Sequence, residues 1–269
     1  MIRPLFACGL AIVASVAGGL LPVRNGDADA GRVAATPTPS DRPPLYRSSV
    51  VGTDFDFITD RDPSAFDALR FVALKPFEMP DKRANDRPLM KDAYVFAARY
   101  RDGTTVAIAV DAAFGSRPAA EQEASRYTLR VGRLPSLYRR HLRHIVIHEG
   151  GADTTAFAED RGHFLVLYSG NATRRIGTHD LEETLFHEAT HAAIQQQYLP
   201  RAAWKTARTR DGAFVTHYAE TDEQEDFAES ALFAYTLIKH PERFPAAERE
   251  RIERQIPHRI DFFRTVYVD

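Results

Sequence analysis

His187-Glu188-Ala189-Thr190-His191 is the run that most limits what this chain can be, because an H-E-x-x-H pattern does chemistry only on a helix. Residues four apart share a helix face, so His187 and His191 can aim two imidazole nitrogens at one cation. Glu188, one step round the helix, then faces a water held by that cation. Two histidines and a carboxylate in this order supply the ligand pair and general base of a zinc hydrolase, most often a metallopeptidase. Asp180, three residues before Glu183, offers a capping box at the helix start. Leu181, Leu185, Ala189 and Ala192 form a core-facing stripe, and Pro200 closes the segment. The histidines and Glu188 fall away from that stripe, on the side of Thr184 and Gln195.

A catalytic zinc takes three protein ligands and keeps a fourth position for water. The acidic segment Thr221–Ser230, continuing to Ile238, reads as a second helix with Thr221 and Gln224 as its capping box. Phe227, Ala231, Ala234 and Ile238 form its buried stripe, and Lys239-His240-Pro241 stops it. Glu225 and Glu229 lie one turn apart on another face. Glu225 is the preferred third ligand, with Glu229 as acceptor for the N–H of a ligand histidine, fixing its tautomer. His217, Asp222 and Glu220 are the other candidates. A histidine six residues after His191, preceded by a glycine, would complete a different class of site, but those positions are Gln197 and Ile194.

These motifs resemble the gluzincin-type, zincin-like metallopeptidases, in particular the group containing the anthrax lethal factor catalytic domain and the secreted Pro-Pro endopeptidases. That group joins an H-E-x-x-H helix to a later E-x-F-A-E helix, here Glu225-Asp226-Phe227-Ala228-Glu229, with a tyrosine seven residues before the ligand glutamate, here Tyr218. The resemblance spans roughly residues 130–240. It implies one zinc held by His187, His191 and Glu225, Glu188 as base, and Tyr218 as a hydrogen-bond donor to the transition state. It also implies an α+β zincin-like domain, a small mixed sheet followed by the active-site helix and the glutamate helix.

The remaining sequence fits such a domain. Pro63–Leu74 reads as a helix with Phe66, Leu69, Val72 and Ala73 inward. Tyr94–Tyr100 and Thr104–Asp111 read as a hairpin about Asp102-Gly103. Helices are expected over Glu121–Val131 and Pro135–Leu142, and strands over His144–His148 and His163–Ser169. The last strand is either a cleft edge that pairs with an extended peptide or a buried central strand. Trp204–Arg210 reads as a loop whose Lys205, Arg208 and Arg210 overhang the cleft. His144, His148 and His163 receive no role, and Asn171-Ala172-Thr173 is a glycosylation sequon only in a eukaryotic host.

Met1-Ile2-Arg3, the uncharged run Leu5–Leu21 and Ala28-Asp29-Ala30 have the form of a secretory signal peptide over residues 1–30, with an uncleaved anchor as the alternative. A Pro/Thr-rich linker at 31–45 then leads to one catalytic domain at 46–269. The single cysteine, Cys8, falls within the signal, so the expected secreted or periplasmic protein uses no disulfides. With 35 Lys and Arg against 37 Asp and Glu, the net charge of −2 suggests neither nucleic-acid binding nor stable membrane association after signal cleavage. The expected partner is a peptide or protein substrate. Three function classes follow: a zinc endopeptidase, a zinc hydrolase of a cell-wall or other non-protein amide, and a non-catalytic binding domain. Intact Glu188 argues against the third, since a metal-only site needs no base.

Overall fold

The computed structural model describes residues 42–84 and 89–268. The expected signal peptide, Cys8 and most of the linker lie outside them. Six strands form one mixed sheet in the order β1-β2-β3-β4-β6-β5. They are β1 Phe66–Glu78, β2 Met90–Tyr100, β3 Thr105–Asp111, β4 His144–His148, β5 Phe157–Glu159 and β6 Phe164–Tyr168. β1, β2 and β3 are antiparallel neighbours, β3-β4-β6 run parallel, and β5 returns antiparallel to β6. Asp102-Gly103 makes the β2-β3 turn as expected: Gly103 takes φ 83° and Asp102 Oδ1 accepts the Thr104 N–H at 3.0 Å.

The helices are α1 Arg117–Val131, α2 Ser136–His141, α3 Ser169–Gly177, α4 Leu181–Ala189, α5 Gln196–Tyr198, α6 Ala202–Asp211, α7 Glu223–Lys239, α8 Ala246–Gln255 and α9 Pro257–Val266. Alternation along the strands divides the sheet into two buried faces. Ile145, Ile147, Leu165 and Leu167 join the main core with α1, α4, α7 and α9, while Val146, Phe164, Val166 and Tyr168 join a smaller cluster with Met79. The mixed α+β architecture agrees with the expectation. Among the described residues no helix is long and apolar enough to cross a membrane.

Several local expectations fail. Residues 66–74 form strand, not helix: Phe66, Leu69, Val72 and Ala73 satisfy a helical spacing, but from Phe71 onward the chain alternates, leaving Val72 and Leu74 exposed. The ladder with β2 extends to Glu78 and decides between the two periods. β6 is not a cleft edge, because β4 and β5 flank it and all five residues are buried. The edge next to β6 is β5, packed beside α4 and the turn that follows it, and β1 is the edge at the other end of the sheet. The linker ends early: Pro43 O accepts from Gln255 Nε2 at 2.9 Å and Arg42 donates to Arg254 O at 2.8 Å. Asn171 is buried, its amide spent on Ala152 O and Arg175, which leaves no room for a glycan.

The segment expected to overhang the cleft is helix α6, and its inner face is core. Trp204 is fully buried against Phe227, Phe262 and Phe263, and Arg208 pairs with Asp226 at 2.8 Å. Arg259 on α9 completes this cluster, reaching Asp226 at 2.8 Å and Asp211 at 3.2 Å with no solvent exposure. The cluster anchors the N-terminal half of α7, where Glu225 is the next residue. Removing one member of a buried charge cluster strands the others. Arg259→Ala is expected to cost about 3–5 kcal/mol of stability, read as a lowered urea midpoint at unchanged m-value.

Candidate metal centre

α4 presents His187 near its C-terminal end, after six residues, Leu181 to Phe186, whose burial locks the helix to the sheet. The expected capping box does not form. Asp180 sits at the N-cap but its side chain makes no cap bond, pairing instead with Arg175 at 3.3 Å. Glu183 points inward, where its Oε1 accepts the Ile58 N–H at 3.3 Å and its Oε2 has no partner. At α7 the cap also differs: Asp222, not Thr221, accepts the N–H groups of Gln224 and Glu225 at 2.7 and 3.0 Å. Asp226 in the first turn is drawn to Arg259, so the helix is held from both its cap and its inner face.

His187, His191 and Glu225 converge. His187 Nε2 lies 3.2 Å from His191 Nε2 and 3.1 Å from Glu225 Oε2, and His191 Nε2 lies 3.4 Å from the same oxygen. Three nitrogen and oxygen donors at zinc distances of ~2.0–2.1 Å, disposed tetrahedrally, stand about 3.3 Å apart. The donor triangle has that size, so these three residues could hold a metal ion. Burial by itself pulls His187 down, but the Glu225 and Glu229 carboxylates beside it hold its pKa well above the ordinary value. Glu225 shifts the opposite way, held low by both histidines against the effect of burial. A cation and a proton therefore compete for the same donors.

Each histidine is oriented from behind. Glu229, with no solvent exposure, sets its Oε1 3.1 Å from His187 Nδ1, a close charge contact although the pair falls short of hydrogen-bond alignment. Its Oε2 accepts from the Val50 N–H and the Thr216 hydroxyl, each at 2.8 Å. His191 Nδ1 lies 2.6 Å from Gln195 Oε1, and Gln195 Nε2 donates to Gln224 Oε1 at 3.0 Å. With the Gln195 oxygen as acceptor, Nδ1 of His191 carries the proton and Nε2 keeps its lone pair for a metal. Gln195 had a visible signal, four residues beyond His191 on the same face. Val50, Thr216 and Gln224 had none, because tertiary folding alone brings them here.

α4 passes directly into a π-helical turn, Thr190–Gln195, so the second histidine sits on wider helical geometry than the first. Two outside contacts brace the turn. Ala192 O lies 2.7 Å from His163 Nδ1, and Thr190 Oγ1, donating to Phe186 O at 2.8 Å, meets the Tyr138 hydroxyl at 3.1 Å. Tyr138 in turn meets the Tyr267 hydroxyl at 2.8 Å.

Glu188 is half-buried, close enough to His187 and Tyr218 to act electrostatically on both, and makes no hydrogen bond or ion pair with any described residue. Tyr218 lies with its ring 5.9 Å from that of His187, and burial together with Glu225 pushes its phenol up. His217 is exposed and paired with Glu220 at 3.2 Å, while Asp222 is used as a cap, so none of the three alternative ligands joins the triad. The other histidines lie elsewhere: His144 stacks on Phe164 and His148 is buried beside Asp111. No family model, curated protein or solved structure matches this chain.

Two measurements check this construction. Glu229→Gln is expected to weaken metal binding by roughly 10–100-fold, read by competition with a chromogenic chelator. Glu183 is pushed up to about 8 by burial, with the Glu182 and Asp180 charges adding to it. The unfolded chain releases this proton near the ordinary glutamate value, so between that value and about 8 the folded state binds more protons than the unfolded one. Stability falls as pH rises through this window, by up to about 1.4 kcal/mol per pH unit. Glu183→Gln is expected to flatten that slope in urea titrations between pH 6 and 8.5.

Proposed function

We propose that this chain is a zinc metallopeptidase of the zincin-like, gluzincin type, exported to the periplasm or the outside of the cell, that hydrolyses peptide bonds. The observation that carries the reading is the donor triangle of His187, His191 and Glu225, with edges of 3.1, 3.2 and 3.4 Å. Its spacing would suit one zinc ion, and among the described residues these three would supply the protein donors. Bound there, zinc supplies a Lewis acid and lowers the pKa of water from 15.7 toward roughly 7.

The protein's own groups do the rest. Glu188, uncommitted to any other described residue, accepts the proton of the attacking water and returns it to the leaving amine. The Tyr218 hydroxyl donates to the oxygen on which negative charge develops, and one such donor is worth roughly 2.7–4 kcal/mol. Burial and its acidic neighbours keep Tyr218 protonated, which a donor requires. Glu229 and Gln195 keep both imidazoles aimed while the reaction proceeds.

The same chemistry would serve another amide, but one feature favours an extended peptide. β5 is an edge strand beside α4, and a sheet edge is where an extended substrate backbone can add as a further strand. Substrate pairing would then fall on β5, since β6, which the sequence leaves as either a cleft edge or a buried central strand, is the buried one.

Metal analysis of the purified chain, then cleavage profiling on a peptide library, tests the proposal. Glu188→Gln is expected to retain about one zinc per chain while losing roughly 10²–10⁴-fold in hydrolysis. Glu225→Ala is expected to lose the metal. Hydrolysis that persists in Glu188→Gln, or a chain without affinity for zinc, overturns the assignment.

A further inference from the structure

Beside the metal centre lies a cavity of about 360 Å³ lined by Arg47, Ser48, Ser49, His217, Tyr218 and Thr221. Tyr218 is the wall it shares with the triad, since the same ring faces His187 at 5.9 Å. The opposite wall is the N-terminal strap, and its backbone is fixed on both sides of Arg47. Tyr46 bridges to Thr216, donating to Val215 O at 3.0 Å and accepting from His217 N–H at 2.9 Å, while Val50 N–H is bound to Glu229. Arg47 therefore stands on an anchored stretch of chain, not on a loose arm.

Its charge is uncommitted. Arg47 is exposed and makes no hydrogen bond, ion pair or ring contact with any described residue. The nearest acidic side chain of the 217–221 loop, Glu220, is engaged by His217 at 3.2 Å. Ser48, Ser49 and Thr221 line the same space, with the Ser48 hydroxyl donating to Ser49 O at 3.1 Å and the Thr221 hydroxyl to Tyr218 O at 2.7 Å. A guanidinium with five fixed donors and no protein partner among the described residues suits a planar carboxylate.

We infer that this cavity is a substrate subsite in which Arg47 binds a carboxylate of the peptide, from an acidic side chain or from a free C-terminus. The inference rests on the metallopeptidase reading and adds to it the substrate class. Arg47 touches no metal donor, so it acts on choice of substrate and not on the metal.

The test uses the zinc-loaded full chain with two sets of peptides. Capped peptides carrying Glu, Gln or Lys at each position near the cut probe the side-chain source, and free-acid against amidated peptides probe the terminal source. The wild type is expected to favour the carboxylate member of one set at a single position by roughly tenfold in kcat/KM. Arg47→Ala should remove that ratio, Arg47→Lys should restore part of it, and Arg47→Glu should turn the preference toward Lys, all at unchanged zinc content. Peptides cleaved with the same ratios by the wild type and Arg47→Ala overturn this inference and leave the proposed function standing. A zinc-loaded chain that cleaves no peptide in either set overturns both.

Discussion

The carboxylate of Glu229 is the interaction on which the candidate site depends. It is fully buried, and a buried charge is tolerated only when its oxygens are occupied. One oxygen takes the Val50 N–H and the Thr216 hydroxyl, and the other faces His187. A single group thus ties together the strap, the loop before Tyr218, α7 and α4. α4 and α7 carry two of the three candidate donors, and the strap and the loop line the neighbouring cavity. Leaving Glu229 unpaired would cost several kcal/mol, so the four elements are held in common register.

The same logic of satisfied polar groups runs through the rest of the centre. Gln195 and Gln224 form a short chain behind His191, and Arg259, Arg208 and Asp226 form a charged anchor under the start of α7. The aromatic set of Tyr46, Phe55, Phe57, Phe233 and Phe244 clamps the strap to α7 from the apolar side. Apolar packing sets the distance between the helices, and the buried polar groups set their rotation. A donor triangle with three nearly equal edges needs both.

Much of the site was legible in the sequence because its signals are local. His187, Glu188 and His191 lie within five residues, and helical periodicity alone puts the two histidines on one face. Glu225 and Glu229 share a face for the same reason. The hairpin at Asp102-Gly103 follows from turn chemistry. The failures are equally specific. Residues 66–74 fit two periods at once, and only pairing with β2 chose between them. Asp180 and Thr221 looked like caps, but Asp180 is drawn away by Arg175, and Asp222 reaches the free N–H groups in place of Thr221. Lys205, Arg208 and Arg210 looked like a cleft rim because the partner of Trp204, the α9 aromatic pair, lies more than fifty residues away.

The sequence by itself determined the chemical identity of the candidate donors and of Glu188 beside them, since residue type and a helical repeat of four are properties of a short stretch of chain. It also determined the mixed α+β character, through alternating and helical runs. Tertiary structure alone decided that Glu225 meets the histidines, that Thr190–Gln195 takes a π-helical turn, and that the strap carries Arg47 to the wall opposite Tyr218. The reason is range. Those outcomes rest on contacts between segments tens to hundreds of residues apart, where no periodicity survives and only burial and the pairing of buried polar groups choose the partner.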